Sequence, residues 1–413
     1  MLKKQNFRGS NINLVKAHNV QVILKSLLYE PGLSRIQLAH RTGLSNTTIT
    51  NLISELMEQG VLSEKENGAD DEGQRSVGRP RVNIYINPNA RYTVGVHIGI
   101  GTYRVAVANL NDEIHCNQTH TFNIQLPAET VLEQIRGSIE VILSECGIER
   151  DRILGVGIGA SGLVDFASGI NLLAPSLKWE NVHIREYFQN TLNLPVVVDN
   201  NVRAMAIGEA FFGAGREYDS LAFVYGRIGV GAGLVFNGSV FRGSRAGAGE
   251  IGHTVMLPRG GEPCHCGKSG CLETLISEPA ILRQADNLSR FNPSGILTQI
   301  IQAHPDVPPI ERVFMAARQG DQDVRRMLDE RSYYLGLALA NVVNLFNPEL
   351  ILLGGIFSQG QDLFIEPTFE TVRHMSFGGL GKKVRLQAAT FGWKAGVAGA
   401  AALALMQFFY QPE

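Results

Sequence analysis

At 413 residues the chain exceeds one ordinary domain, and 44% hydrophobic with 18% charged residues fits a globular protein with a substantial core. No apolar run reaches the roughly 20 residues that a membrane span needs, and the polar start with Lys3, Lys4 and Arg8 lacks a signal-type apolar stretch, so neither membrane insertion nor export is expected and the expected location is cytoplasmic. The net charge of −2 divides unevenly: residues 1–91 hold 12 Lys and Arg against 8 Asp and Glu, the remainder 25 against 31, which turns the first segment toward a polyanion.

The first eighty residues read as three helices and a hairpin. Apolar residues at Leu14, Val15, Ile23, Leu24, Leu27 and Leu28 follow helical spacing, and Pro31-Gly32 ends that run. Ser34-Arg35-Ile36-Gln37 is a capping box that opens a second helix through about Thr42. Gly43 makes the turn, Ser45 caps a third helix with Ile49, Leu52, Ile53 and Leu56 inward, and Gly60 stops it. Val61–Glu64 and Val82–Ile86 then read as strands around a polar, glycine-containing stretch. Two helices joined by a short glycine turn and followed by a hairpin make a winged helix-turn-helix.

That motif predicts a DNA-reading surface. Ser45, Asn46, Thr47, Thr48, Thr50 and Asn51 offer short hydrogen-bonding side chains at the start of the third helix, with Arg35 nearby. The wing carries Arg75 and then Gly78-Arg79-Pro80-Arg81, thin enough for a minor groove whose negative potential attracts arginine. A helical subdomain used only for docking is the competing reading, and it leaves the wing arginines without a role.

From Arg91 glycine-punctuated strands alternate with helices, the texture of an α/β domain. Strands are predicted at 92–100, 103–109, 152–159, 194–198, 221–224, 232–236 and 351–353. Helices are predicted at 128–145 and 201–212, with a long one ending near Phe346 and a final one over about 394–408.

Five cysteines are few. Cys116 and Cys146 stand isolated, whereas Cys264, Cys266 and Cys271 cluster and suggest metal rather than disulfides. With His253, separated from Cys264 by ten residues, they form a Cys₃His set, a closed tetrahedral shell that suits a structural zinc ion. His265, between two cysteines, is expected to point outward. A reduced cysteine cluster without metal is the alternative.

Glu250-Ile251-Gly252-His253 followed by Cys-x-Cys-Gly-x-x-Gly-Cys-Leu-Glu is similar to the signature of the ROK family of repressors, open reading frames and sugar kinases. The resemblance extends over about 92–400 through Ala160–Asp165, Asn200–Glu209, Gly229–Gly233 and Leu353-Gly354-Gly355. It implies a two-lobed, actin-like (ribonuclease H-like) ATPase-type α/β domain with a sugar in the cleft and a zinc loop, to which the repressor branch adds a winged helix. The implied division is 1–86 and 87–413, with a small lobe of about 90–198 plus the final helix of about 394–409, and a large lobe of about 199–393.

The resemblance also separates sugar binding from kinase chemistry. Family kinases place a catalytic aspartate where this chain has Asn201, and an amide cannot accept the sugar proton. The first phosphate loop, Asp-x-Gly-Gly-Thr in kinases, reads His97-Ile98-Gly99-Ile100-Gly101; the second, opening Gly-Thr-Gly, reads Arg227-Ile228-Gly229. The implied sugar-facing residues remain: Asn200, Glu250, His253 and Glu273, with Ser161, Gly162 and Asn201 beside them. One ring nitrogen of His253 would bind zinc and the other face the sugar. These residues could instead only support the zinc loop.

The resulting expectation is a repressor of carbohydrate genes. It would bind operator DNA as a homo-oligomer and be modulated by a sugar or sugar phosphate. An active kinase with a fused DNA-binding domain is one alternative, and a repressor controlled by a protein partner such as a sugar-transport component is the other.

Overall fold

The computed structural model describes residues 12–66, 82–244 and 246–411. The wing residues Arg75, Arg79 and Arg81 lie outside the described residues.

Helices α1 (Ile12–Tyr29), α2 (Arg35–Thr42) and α3 (Asn46–Glu58) form the first unit. The Ser34 hydroxyl accepts from the Gln37 amide, and the Gln37 side chain accepts from Ser34 N, so the capping box satisfies two orphan donors. Gly43 takes φ 71 and closes α2 onto the Ala39 carbonyl. The inward face of α3 is Ile49, Leu52, Ile53 and Leu56. Strand β1 (Leu33–Ser34) joins β2 (Leu62–Glu66) and β3 (Val82–Ile86) in the order β1-β3-β2. β1 escapes sequence reading because two residues carry no period.

The next sheet has the order β11-β7-β4-β5-β6. It is built from β4 (Tyr92–Ile98), β5 (Thr102–Asn109), β6 (Ile114–Thr121), β7 (Ile153–Ala160) and β11 (Val196–Asn200). Helices α4 (Ala128–Glu145) and α5 (Ile184–Leu192) accompany it. A small antiparallel sheet of β8 (Leu163–Asp165), β9 (Ile170–Ala174) and β10 (Trp179–Val182) sits at its end. β6 brings Cys116 to Cys146 at the end of α4, and the two form a disulfide with Cα atoms 6.2 Å apart. The expectation that both stand isolated is therefore corrected; 30 residues separate them in sequence, and only the unforeseen β6 brings them together.

The second lobe opens with α6 (Asn201–Phe212), β12 (Ser220–Gly226), β13 (Val230–Phe236) and β14 (Ser239–Val240). Helices α7 (Glu273–Ile276), α8 (Glu278–Phe291), α9 (Ile296–Ala303), α10 (Pro309–Arg318) and α11 (Gln322–Phe346) follow. Then come β15 (Leu350–Gly355), α12 (Ile356–Gln359), α13 (Gln361–Met375), β16 (Arg385–Ala388) and α14 (Ala395–Leu405). The sheet order is β14-β13-β12-β15-β16.

α14 returns to the first lobe and is buried along its whole length, which explains its apolar, small-residue sequence. A Cβ at Gly157 of β7 would overlap the Ala400 carbonyl oxygen, and Gly208 of α6 meets Gly399 backbone to backbone. The helix thus lies between the β4–β7 sheet and α6 at a distance that side chains would forbid. A π-turn at Met406–Tyr410 carries the chain on to contact α1. Buried residues of the winged helix, including Ile23, Leu27 and Ile53, share one apolar core with Met205, Phe211, Leu403 and Tyr410. Among the described residues no helix is long and apolar enough to cross a membrane.

Asp112, in the turn between β5 and β6, is buried at φ 60 with no partner for either carboxylate oxygen. Burial raises its pKa well above 3.8. The folded state therefore holds this proton more tightly than the unfolded chain does; the stability of the neutral acid is present below about pH 3.8 and lost as pH rises. Asp112→Asn keeps a residue that tolerates positive φ and removes the charge. Thermal melts should show stabilisation at pH 8, on the order of 1–3 kcal/mol, fading below pH 4. A lower melting point at pH 8 would refute the assignment.

Candidate functional site

The metal-type cluster is built from a tight loop and one histidine. Cys264 N donates to Lys268 O at 2.7 Å, and Gly267 and Gly270 take φ 85 and 72, so the loop turns back on itself. The ligand-type atoms of His253, Cys264, Cys266 and Cys271 all lie within 4.8 Å of one another. Cys266 Sγ is 3.7 Å from Cys271 Sγ, and Cys264 Sγ is 3.6 Å from His253 Nδ1. Metal–sulfur bonds of about 2.3 Å at tetrahedral angles put sulfurs about 3.7 Å apart, so this donor set fits an ion. Nδ1 is the inward nitrogen of His253, which leaves Nε2 for the opposite side. His265 is exposed and outside the cluster. The Cys266 thiol is made more acidic chiefly by the Lys268 backbone N–H, whereas burial pushes Cys271 up to about 12. A buried thiolate at Cys271 therefore needs a cation beside it.

The residues expected to face a sugar are held by local contacts. Asn200 caps α6: its Oδ1 accepts from Val202 N and Arg203 N, and its Nδ2 donates to Gly162 O at 2.9 Å. Asn201 Nδ2 donates to Ser161 Oγ at 3.1 Å. Val202 then packs on Gly231 of β13, and Gly252 packs on Val230. Glu273 Oε2 accepts from Val230 N at 3.1 Å, while its Oε1 lies 3.9 Å from Cys264 Sγ. Glu250 immediately precedes the 3₁₀ turn Ile251–His253.

Glu250 is open to solvent. Desolvation raises its pKa; His253 and Arg203 oppose that, and Glu273 adds to it. Two carboxylates close enough to feel each other's charge suit the donation of ligand hydroxyls.

Sequence reasoning missed the group that fixes this region. Asp199 and Arg203 are both buried and paired at 2.7 Å, and Arg242 reaches the other Asp199 oxygen at 2.8 Å. Arg203 Nη1 donates to Ala246 O at 2.7 Å and Nη2 to Val164 O at 2.9 Å. The guanidinium of Arg242 lies 3.7 Å from the Phe166 ring centroid. The network therefore ties β8, β11 and α6 to the loop that carries Glu250. The i,i+4 spacing of Asp199 and Arg203 is the one sequence signal for it. Arg203→Met leaves a buried carboxylate half-paired and should cost about 3–5 kcal/mol in denaturant unfolding; a cost under about 1 kcal/mol would refute a structural role.

On the winged helix, Ser45, Asn46, Thr47, Thr50 and Asn51 are exposed, and Thr48 is half-buried with its hydroxyl 2.9 Å from that of Ser45. Arg35 pairs with Glu64 and lies beside Met57, tying α2 to β2 and α3.

Residues 93–407 match the ROK family, and residues 19–63 match a winged helix-turn-helix DNA-binding family. The xylose repressor of Caldicellulosiruptor bescii is 30% identical over 404 residues, 98% of this chain and 99% of that protein. A glucokinase of Halalkalibacterium halodurans is 32% identical over 309 residues, 75% of this chain and 93% of the kinase. A solved ROK family transcriptional regulator, a homolog of the E. coli MLC protein, superposes with TM-score 0.80 at 27% identity, covering 95% of this chain and 97% of its own. With the family match spanning both lobes of the cleft and a DNA-binding match ahead of it, the chain belongs to the ROK family.

Proposed function

We propose that the chain is a sugar-responsive DNA-binding repressor whose kinase-like cleft binds an effector without phosphorylating it. The observation that carries this reading is the end-to-end match to a xylose repressor, together with an exposed polar face at the start of α3. Asn46, Thr47, Thr50 and Asn51 read base edges, and the chain acts as a dimer or larger so that two such helices meet successive major grooves.

Three features support the loss of kinase chemistry. Asn201 has an amide where a general base is needed, and it is bonded to Ser161. His97 is buried with its pKa lowered to about 3, by desolvation first and then by Arg104 and Arg227, so it is a neutral ring where a phosphate loop calls for a carboxylate. The turn after β12 reads Arg227-Ile228-Gly229, with Ile228 exposed, where the second phosphate loop of the kinases opens Gly-Thr-Gly.

The metal is zinc, held by His253, Cys264, Cys266 and Cys271, and its role is structural because four protein donors leave no open position. It orients His253 toward the cleft through Nδ1. Metal analysis should give about one zinc per chain. Cys271→Ser should lose that zinc and lower the melting point of the effector lobes. Zinc retained in a Cys264, Cys266 and Cys271 triple serine variant would refute the ligand set.

The cleft reaches the DNA-binding unit through α6. Its first turn holds Asn200 and Asn201, and at its far end the Phe211 ring lies 6.3 Å from Tyr29 of α1. Just beyond, Arg216 donates to the Leu28 carbonyl. A ligand that shifts α6 therefore shifts the anchor of α1. Ten- to a hundredfold release from DNA requires roughly 1.4–2.8 kcal/mol of differential binding, within reach of two hydroxyl bonds to carboxylates at about 1.5–3 kcal/mol each. In a screen of mono- and disaccharides, Glu250→Gln should keep basal operator binding and lose release, and Glu273→Gln should do so more weakly. Normal release in both variants would move the signal to a protein partner.

A further inference from the structure

Residues 87–91 join the winged helix to the first lobe and are bonded at both ends. On the winged-helix side, Asn87 N donates to Val61 O at 2.8 Å and Asn87 Nδ2 to Gly60 O at 3.0 Å. On the lobe side, two separate segments grip Asn89. From β6, His115 Nε2 lies 3.2 Å from Asn89 Oδ1; from the turn Arg150–Arg152, the Arg152 guanidinium donates to the Asn89 carbonyl. The same two side chains hold Tyr92, the first residue of β4. The His115 ring meets it edge-on with centroids 5.1 Å apart, and the Arg152 guanidinium lies 5.1 Å from its ring. The β5–β6 turn adds a further hold: Asn109 Nδ2 donates to Asn89 Oδ1 at 3.1 Å, and Leu110 N to Pro88 O at 2.9 Å.

The disulfide lies behind this grip and ties its two arms together. Cys116 follows His115 directly. The β5–β6 register pairs Cys116 with Val107 and Ile114 with Ala108, so His115 is the extra residue of a bulge. A bulge re-aims a side chain and disrupts the local ladder. β6 is also the edge of its sheet, so the end of α4 is what braces it from outside. Cys146 caps that helix, and Arg152 follows in the next turn. Beside the disulfide, Gln118 Nε2 donates to Glu145 Oε2 at 2.7 Å, an exposed bond that water can replace. Both cysteines are half-buried, within reach of a small thiol.

We propose that Cys116 and Cys146 form a redox-sensitive lock on the linker. Closed, the bond holds His115 and Arg152 around Asn89 and Tyr92; open, it frees the β6 arm and loosens the linker. Opening is thiol–disulfide exchange. Two small-molecule thiols give up two protons and two electrons and pair as a disulfide, while the protons and electrons convert the cystine to two cysteine thiols. Closing is the reverse, with a small-molecule disulfide as oxidant. The consequence for DNA rests on the repressor reading, in which paired recognition helices must keep one spacing on the duplex. A looser linker weakens that spacing, so the oxidised chain binds DNA more tightly.

The full chain, equilibrated in oxidising or reducing glutathione buffer, tests the lock by thiol alkylation and by hydrogen exchange read with mass spectrometry. Cys116 and Cys146 should resist alkylation in the oxidising buffer and be labelled in the reducing one. Reduction should speed amide exchange over 87–92 and 109–116 about fivefold or more. It should weaken binding to a duplex, selected by the chain from a random pool, about fivefold or more. Cys116→Ser and Cys146→Ser should each show the fast exchange and weaker binding in both buffers. Unchanged metal content in these variants separates the lock from the cysteines of the Cys₃His loop. The same alkylation state in both buffers, or linker exchange unaffected by reduction, overturns the lock. Equal or tighter DNA binding by the reduced chain overturns its consequence for the operator. If no duplex binds in either buffer, the repressor reading fails while the exchange measurement still decides the lock.

Discussion

The close approach of α14 to its neighbours is the constraint on which the rest of the molecule depends. The helix touches the β4–β7 sheet on one side and α6 on the other, and its extension meets α1. Such contacts exist only because glycine and alanine line them. A seam of this kind has few rotamers to reorganise, so one face can shift along the other without the loss of interlocked side chains. Both lobes contact this helix, and the DNA-binding unit contacts its extension as well as α6. The second lobe and the winged helix are thereby joined by packed contacts.

The Asp199–Arg203–Arg242 network complements that seam. Where α14 permits sliding, the buried charges fix. Arg203 reads backbone carbonyls of two separate segments, Val164 and Ala246, so neither can move independently of the start of α6. A buried ion pair is a poor source of net stability but a strong constraint on geometry, because partial rupture leaves an uncompensated charge. The segment that carries Glu250 inherits its position from this constraint on one side and from the Cys₃His loop on the other.

Much of this was legible in the sequence wherever the signal was local. The capping box at Ser34–Gln37, the turn at Gly43 and the cap at Ser45 each rest on a few adjacent residues, and the helices they bound appear where expected. The Cys₃His donors are equally local and do converge. The misses are non-local. β6 reads Ile-His-Cys-Asn-Gln-Thr-His-Thr, a half-exposed edge strand with almost no apolar alternation, so neither the strand nor the Cys116–Cys146 pairing it creates shows in a linear scan. Arg242 contributes to the site from 43 positions beyond Asp199, at a position that no motif marks.

The apolar core shared by the winged helix and the second lobe bears on how the chain melts and how such proteins diversify. Residues such as Ile53 and Met205 belong to one continuous interior, so the DNA-reading unit is not a bead on a string. Its exchange-protected amides should open together with those of α6 rather than at a lower free energy of their own. A reading head bound in this way cannot be exchanged between relatives at the domain border alone. Any transplant has to carry the matching surface of α6 and the Met406–Tyr410 turn with it, so new operator specificities arise more readily by substitution on the exposed face of α3 than by wholesale exchange of the head.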